Sequence, residues 1–231
     1  SHSRTDNQRK LYILVTFVNP MIPIILKIKR TIHKEIAKAQ DLVIAALYEV
    51  FDDAVLHGGT AIWRCYQGNR FSEDIDAYLL KDKDKINRFF EHLQKKGFVI
   101  EKKKVGENSI YSNLKFNHTE VRFEALFKKA NGSLRDYETA EGNYITVYTL
   151  TAEELIDEKV STYLKRLKIR DLYDIFFLLK YVQNKEKIVP RLKELIDKFK
   201  PPIDEKDLQV IILEGLVPDY KKMLLYIKDR C

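Results

Sequence analysis

Asp74 and Asp76 stand two apart in the run Asp74 to Leu80 (DIDAYLL), whose alternation reads as a strand. Residues two apart on a strand leave the same face, so both carboxylates emerge together while Ile75 points into the core. Like charges so close repel each other, and a divalent cation between them removes that repulsion. Hard oxygen ligands suit Mg²⁺ or Mn²⁺ bridging the phosphates of a nucleotide. The plain structural alternative is a pair of solvated carboxylates on a strand edge, although strand interiors disfavour Asp. Upstream, Gly58-Gly59-Thr60 lies at a strand-to-helix junction. There glycines let a phosphate approach backbone N–H groups, and the helix N-terminus favours negative charge. A tight turn without a ligand would need the same glycines. A third carboxylate comes from Val121 to Phe127 (VRFEALF), where alternation puts Val121, Phe123, Ala125 and Phe127 on one face and Arg122, Glu124 and Leu126 on the other. Glu124 could thus sit beside the Asp pair on a neighbouring strand. Three such carboxylates can hold two metals for in-line attack of a hydroxyl at an α-phosphate, with pyrophosphate leaving. A surface ion pair between Glu124 and Arg122 or a lysine is the competing reading.

Cations for a triphosphate come from both halves of the chain. Lys159, within a helical run, and Arg70, in the loop Gln67 to Ser72, are the candidates, with Ser72 beside them. Lys159 could equally be a solvated helix lysine. Arg170 and Asp171 open the next helix as a cap and interdomain ion pair or face the cleft, and Asp174 reads as structural. His57 reads as a half-buried strand-end histidine and Cys65 as a small core residue, with no base placed near it by sequence. The Lys95-Lys96 and Lys102-Lys103-Lys104 clusters read as a solvated face on which an RNA backbone could lie.

These residues need elements to hold them. Ile32, Ile36, Ala39, Val43, Leu47 and Val50 recur at helical spacing, predicting a helix over Thr31 to Asp53, then a strand over Ala54 to His57 and a helix over Thr60 to Tyr66. A charged helix from about Asp84 to Lys96 stops at Gly97. Strands follow at Phe98 to Val105, Ser109 to Phe116 and Thr119 to Phe127, an antiparallel meander, and another at Tyr144 to Leu150. Thr151-x-x-Glu154 is a capping box, after which everything reads as helical: Ala152 to Leu167, Arg170 to Tyr181, Lys185 to Phe199, Asp204 to Glu214 and Asp219 to Lys228. The fold class is α+β: a mixed-sheet domain over residues 1–150 and a helical domain over 151–231, with the site in the cleft between them.

The 231 residues are 45% hydrophobic and 32% charged, enough for one good core and too apolar for wholesale disorder. A formal net charge of +7 favours polyanionic partners such as nucleotides or RNA. The 13 Tyr and 12 Phe mostly serve the core. The two cysteines, Cys65 and Cys231, are too far apart in sequence for a disulfide framework or a CxxC metal site, so a reducing, cytoplasmic setting is expected. Leu11 to Ile28 approaches the length of a membrane span, but Asn19, Pro20 and Pro23 break its centre, leaving two buried segments around a turn and no membrane role. No small-residue cleavage site follows it, as a signal peptide would require. Ser1-His2-Ser3 reads as an expression remnant outside the fold.

The stretch HGGTAIWRCYQGNRFSEDIDAYL from His57 to Leu79 closely resembles the AbiEii/MenT-type nucleotidyltransferases of type IV toxin–antitoxin and abortive-infection systems. ELIDEKVSTYLKRLKIRDLYDIFF, Glu154 to Phe177, resembles the C-terminal motifs of that family, in the expected order. The resemblance spans roughly Thr31 to Leu179. It implies a DNA polymerase β-like nucleotidyltransferase fold and Mg²⁺-dependent use of an NTP. It also implies nucleotide addition to tRNA 3′ ends by a toxin paired with a separately encoded antitoxin. Carried over by motif, Gly58, Gly59 and Thr60 contact phosphates, Asp74 and Asp76 hold metal, and Lys159 binds the triphosphate. Asp171 and Glu124 compete for the role of third carboxylate. The alternatives are a nucleotidyltransferase acting on a protein or small-molecule hydroxyl, and a non-catalytic NTP- or RNA-binding module. A metal-dependent nuclease is disfavoured because it has no triphosphate for the Gly-Gly-Thr loop to cradle.

Overall fold

A computed structural model describes residues 22–231. The apolar run's first part, up to residue 21, lies outside them. Its remainder forms α1 (Ile24–Lys27), a single turn that buries Ile24 and, just beyond its end, Ile28. Helix α2 (Thr31–Tyr48) buries Ile36, Ala39, Val43 and Leu47 as their spacing predicts. Ile32 is the exception, 47% exposed at the open first turn. The helix also stops five residues earlier than its pattern suggests. The amides of Val50 and Phe51 both turn back to the Leu47 carbonyl, so the apolar positions continue through a turn instead of a helix.

The chain then forms β1 (Val55–His57), α3 (Gly58–Cys65), β2 (Ile75–Leu79) and α4 (Lys83–Lys95). A meander follows, β3 (Val99–Val105), β4 (Ser109–Phe116) and β5 (Thr119–Phe127), and then the hairpin β6 (Ser133–Glu138) and β7 (Tyr144–Thr149). All seven strands join one sheet in the order β3-β4-β5-β2-β1-β7-β6. β2 runs parallel to β5 and β1 parallel to β7, and the other neighbours are antiparallel. β6 is absent from the sequence reading. It is an edge strand carrying Ser133, Arg135 and Asp136, and only Tyr137 and Glu138 are buried, so it has little of the hydrophobic alternation that marks a strand.

Along β5, Val121, Phe123 and Ala125 are buried while Arg122 and Glu124 are half-buried, which is the division their alternation predicts. The buried side meets α2 and α4, with the Phe123 and Phe89 rings 4.9 Å apart between centroids. Truncating such a core aromatic costs about 3–5 kcal/mol, so this packing fixes which way Glu124 faces.

The helical portion comprises α5 (Ala152–Arg166), α6 (Ile169–Leu178), α7 (Val189–Asp197), α8 (Leu208–Ile211) and α9 (Tyr220–Lys228). The capping box is formed: Thr151 accepts from the Glu154 amide at 3.3 Å, and Glu154 accepts from the Thr151 amide at 2.8 Å. The expected helix over Asp204 to Glu214 is instead a 3₁₀ turn, the single turn α8 and an extended end. That end pairs with the loop before β2: Phe71 donates to Ile211 at 2.8 Å, Leu213 donates to Asn69 at 3.1 Å, and Arg70 bridges Ile212. Backbone hydrogen bonding here outweighs local helical preference, and the C-terminal part thereby clamps the loop that carries Arg70. Among the described residues no helix is long and apolar enough to cross a membrane.

Candidate active site

Sheet register brings the acidic residues together. Asp76 pairs with Glu124 on β5 and with His57 on β1, and Asp74 lies immediately before β2 on the same face as Asp76. Glu124, expected beside the Asp pair, stands there. The three carboxylates line a cavity of about 220 Å³ together with Arg70, Arg122, Lys159, Arg166 and Arg170. Gly59 and Ser72 complete its wall. The cavity lies between the sheet and helices α5 and α6. A larger one, about 970 Å³, opens around Tyr66, Arg135 and Tyr181 but has no paired carboxylates and no glycine-led helix start.

The two glycines are fixed by close packing. Gly58 has φ +70°, and a Cβ there would strike the Asp76 carboxylate, whose Cγ is 3.0 Å away. At Gly59 a Cβ would meet the Ser72 hydroxyl at 2.5 Å and an Arg70 guanidinium nitrogen at 2.7 Å. Helix α3 starts at Gly58, two residues before the expected Thr60, and no side chain caps it. Its first amides are therefore left for a ligand at the cavity. Thr60, expected to contact phosphates, has its side chain turned inward. It is 1% exposed, and its hydroxyl donates to the Asp74 carbonyl and accepts from Gln40 at 3.5 Å. Gln40 also donates to the carbonyls of Ser72 and Glu73, at 2.9 and 3.0 Å. Thr60 thus pins the entry to β2 and does not line the cavity.

The cations are held by a second tier of carboxylates. Asp174 takes Arg70 in a two-pronged contact at 2.5 and 2.6 Å and Lys159 at 2.8 Å. Asp171 takes Lys159 at 3.2 Å and Arg166 at 2.7 and 2.9 Å. Both Asp171 and Asp174 are fully buried. Asp171 was a candidate catalytic carboxylate. Its oxygens are occupied by Lys159 and Arg166, and it does not line the cavity. Burial pushes the Asp171 carboxyl up, but Arg166 and Lys159 more than offset this and hold it below the usual carboxylate range. Burial likewise opposes the charge on Arg70, and Asp174 overcomes it, leaving the guanidinium more basic than usual.

Asp76 differs from the other carboxylates. Among the described residues no donor or cation lies within hydrogen-bond or ion-pair distance of its side chain. Burial raises its pKa, Asp74 adds to the rise, and His57, Lys159 and Arg122 oppose it. Burial and the two aspartates also raise Glu124, against the pull of Arg122. An unpaired, partly buried oxygen donor beside a second carboxylate fits a divalent cation, and Asp74 and Asp76 are the residues to hold it. Among the described residues no three His, Cys, Asp or Glu side chains converge closely enough to enclose a metal ion.

Sequence reasoning missed some of the neighbourhood. Arg166 lines the cavity though nothing in its spacing marks it, and Arg122, expected as an ion-pair partner of Glu124, forms that pair at 3.0 Å and also contacts Asp74, which sequence reasoning did not place beside it. His57 stacks on Tyr78 with centroids 4.0 Å apart and meets Glu158 at 3.2 Å, while the Tyr78 hydroxyl donates to the same carboxylate. Against the cost of burial, His57 and Tyr78 keep Glu158 below its usual range. Cys65 is buried, its thiol pushed up to about 12 by desolvation, as suits a core residue. The lysines at 95–96 and 102–104 do not line the cavity.

Residues 41–225 match the family described as nucleotidyl transferase AbiEii toxin, Type IV TA system. The chain belongs to the AbiEii toxin family. It is accordingly a nucleotidyltransferase, as the sequence resemblance implied. No curated protein matches the AbiEii chain by sequence. Among solved structures it is similar to JHP933 from Helicobacter pylori, with TM-score 0.62 and 20% identity, over 87% of this chain and 90% of that one. It is also similar to MenT4, a nucleotidyltransferase toxin from Mycobacterium tuberculosis H37Rv, with TM-score 0.62 and 17% identity, over 90% and 85% of the two chains. At these identities the likeness is one of fold, and it agrees with the mixed sheet and helices of this AbiEii protein.

Proposed function

We propose that this AbiEii protein transfers a nucleoside monophosphate from an NTP to a hydroxyl on RNA, with the tRNA 3′ end as acceptor. It would act in the cytoplasm as a toxin opposed by a separately encoded antitoxin. The observation that carries this reading is the Asp74–Asp76 pair facing the uncapped, glycine-led start of α3 across a cavity rich in arginine and lysine. That combination suits a triphosphate: amides and cations for the anionic chain, carboxylates at the reacting phosphorus.

In the proposed reaction the acceptor hydroxyl releases its proton to solvent as its oxygen attacks the α-phosphorus, the bond to the α–β bridging oxygen breaks, and pyrophosphate leaves with that electron pair. Asp74 and Asp76 would hold Mg²⁺ or Mn²⁺, which when bound offsets phosphate charge and favours the ionised acceptor hydroxyl. The amides of Gly58 and Gly59 and the head groups of Arg70 and Lys159 receive the triphosphate. Ser72 sits where its hydroxyl can add a hydrogen bond to it. Glu124 shapes the carboxylate side of the cavity. We take the sheet up to about residue 150 and the helices beyond it as the two halves that close on the nucleotide.

The test is incubation of the purified protein with total tRNA, Mg²⁺ and each α-³²P-labelled NTP in turn, resolved on a denaturing gel, with Asp76→Ala alongside. Label on tRNA from wild type and none from a folded Asp76→Ala is the expected result. Pyrophosphate release without labelled RNA would move the acceptor to a protein or small-molecule hydroxyl. Labelling retained in Asp76→Ala would end the role assigned to the Asp pair.

A further inference from the structure

We infer that Arg122 serves as a built-in cation that reserves Glu124, so that the site takes one divalent ion, on Asp74 and Asp76, where its three carboxylates could otherwise hold two. The inference rests on the metal reading of the Asp pair given above and goes beyond it.

The geometry is specific. Arg122 and Glu124 are two apart on β5, so they leave the same face, and Glu124 is in register with Asp76. The guanidinium therefore lies beside the carboxylates and reaches in both directions. One terminal nitrogen donates to Asp74, and Nε lies 3.0 Å from Glu124 as an ion pair without hydrogen-bond geometry. Asp76 is left out of this contact. A guanidinium hydrogen-bonded to one carboxylate and ion-paired with the other supplies positive charge that a metal would otherwise bring.

Arg122 is not part of a deeper structural network. Its side chain is 41% exposed, and its charged partners are Asp74 and Glu124. The other site cations differ, because Arg70 and Lys159 are anchored from behind by Asp171 or Asp174 and cannot leave without stranding a buried charge. Arg122 can be replaced without that penalty.

Metal binding, read without turnover, tests the inference. Mn²⁺ alone is titrated into wild type, Arg122→Gln, Arg122→Lys and Arg122→Gln/Glu124→Gln, with free Mn²⁺ followed by electron paramagnetic resonance and folding checked by circular dichroism. One ion per chain is expected on wild type and two on Arg122→Gln. The first ion should bind about tenfold more tightly once the nearby positive charge is gone. The double variant should return to one ion, because Glu124 is the ligand released. Arg122→Lys should stay at one ion, since it keeps the charge. Two ions on wild type would overturn the inference and leave the metal reading intact, as would an Arg122→Gln protein that matches wild type in stoichiometry and affinity. No Mn²⁺ on any of the four proteins would overturn the metal reading itself, and this inference with it.

Discussion

Asp76 is a partly buried carboxylate with a like charge beside it and no close donor among the described residues, and this makes its effect on stability readable. Its folded-state pKa is raised, chiefly by burial. The folded chain therefore binds that proton more tightly than the unfolded chain does. The resulting stabilisation is fully present below the unfolded value, about 3.9, and is lost as pH rises through the raised folded value. At neutral pH the ionised group is thus a burden in the metal-free protein. Asp76→Asn removes it, so in EDTA at pH 7 the variant should melt a few degrees above wild type, with the gap narrowing as the pH is lowered towards 4. Millimolar Mg²⁺ should raise the wild-type Tm and leave Asp76→Asn unmoved, because a ligand that binds only the folded state stabilises it. Differential scanning fluorimetry across pH, with and without Mg²⁺, measures both effects. A variant less stable than wild type at pH 7 in EDTA would mean that the carboxylate is already well satisfied within the protein.

Helices α5 and α6 turn toward the sheet through charges that sequence spacing reveals only in part. Lys159 reads from sequence as either a triphosphate ligand or a solvated lysine, and in the fold it is buried between Asp171 and Asp174 while still lining the cavity. Removing it leaves two fully buried carboxylates short of a partner, although Arg166 and Arg70 remain. Lys159→Ala should therefore cost about 3 kcal/mol of stability as well as nucleotide use, at the low end of the range for breaking a buried ion pair. Urea denaturation measures the stability, and a loss below 0.5 kcal/mol (about the size of a surface pair) would reduce the network to a weak one. The same elements mark where sequence sufficed. Strict alternation in VRFEALF placed Glu124 on the Asp76 face, and period-two spacing aligned Asp74 with Asp76, because a strand's pleat determines both. Thr151 and Glu154 located the start of α5 because a capping box is local chemistry. What stayed hidden depended on contacts distant in sequence. The Thr60 hydroxyl bonds the Asp74 carbonyl, Arg166 reaches the cavity through Asp171, and the segment after α8 pairs with the Arg70 loop instead of continuing as helix. β6 was hidden for another reason, since an edge strand need not alternate.

On the scale of the whole molecule the positive charge is unevenly used, and that distinguishes acceptors. The formal net charge is +7, and five of the cavity's lining residues, Arg70, Arg122, Lys159, Arg166 and Arg170, are cationic. Arg70, Arg122, Lys159 and Arg166 are tied to carboxylates within the protein. Among the described residues Arg170 makes no ion pair, and Lys168, on the rim of the adjoining cavity with Arg70 and Arg170, meets only Asp204, at 3.5 Å. On the proposed RNA reading, these two would hold the RNA backbone leading into the site. An RNA acceptor releases a counterion for each phosphate neutralised, so log affinity falls linearly with log salt, by a slope of roughly 0.7–0.9 per contact. The KM for tRNA should then rise at least several-fold between 50 and 200 mM KCl (on the order of two or more phosphate contacts), with a smaller change in kcat. Arg170→Gln and Lys168→Gln should each lower the magnitude of that slope by about 1 while leaving the fold intact. A neutral small-molecule acceptor would show almost no such dependence. A flat KM across this salt range, measured with the NTP saturating throughout, would therefore count against RNA as acceptor even if the Asp pair, the glycines and the cation network all behave as argued.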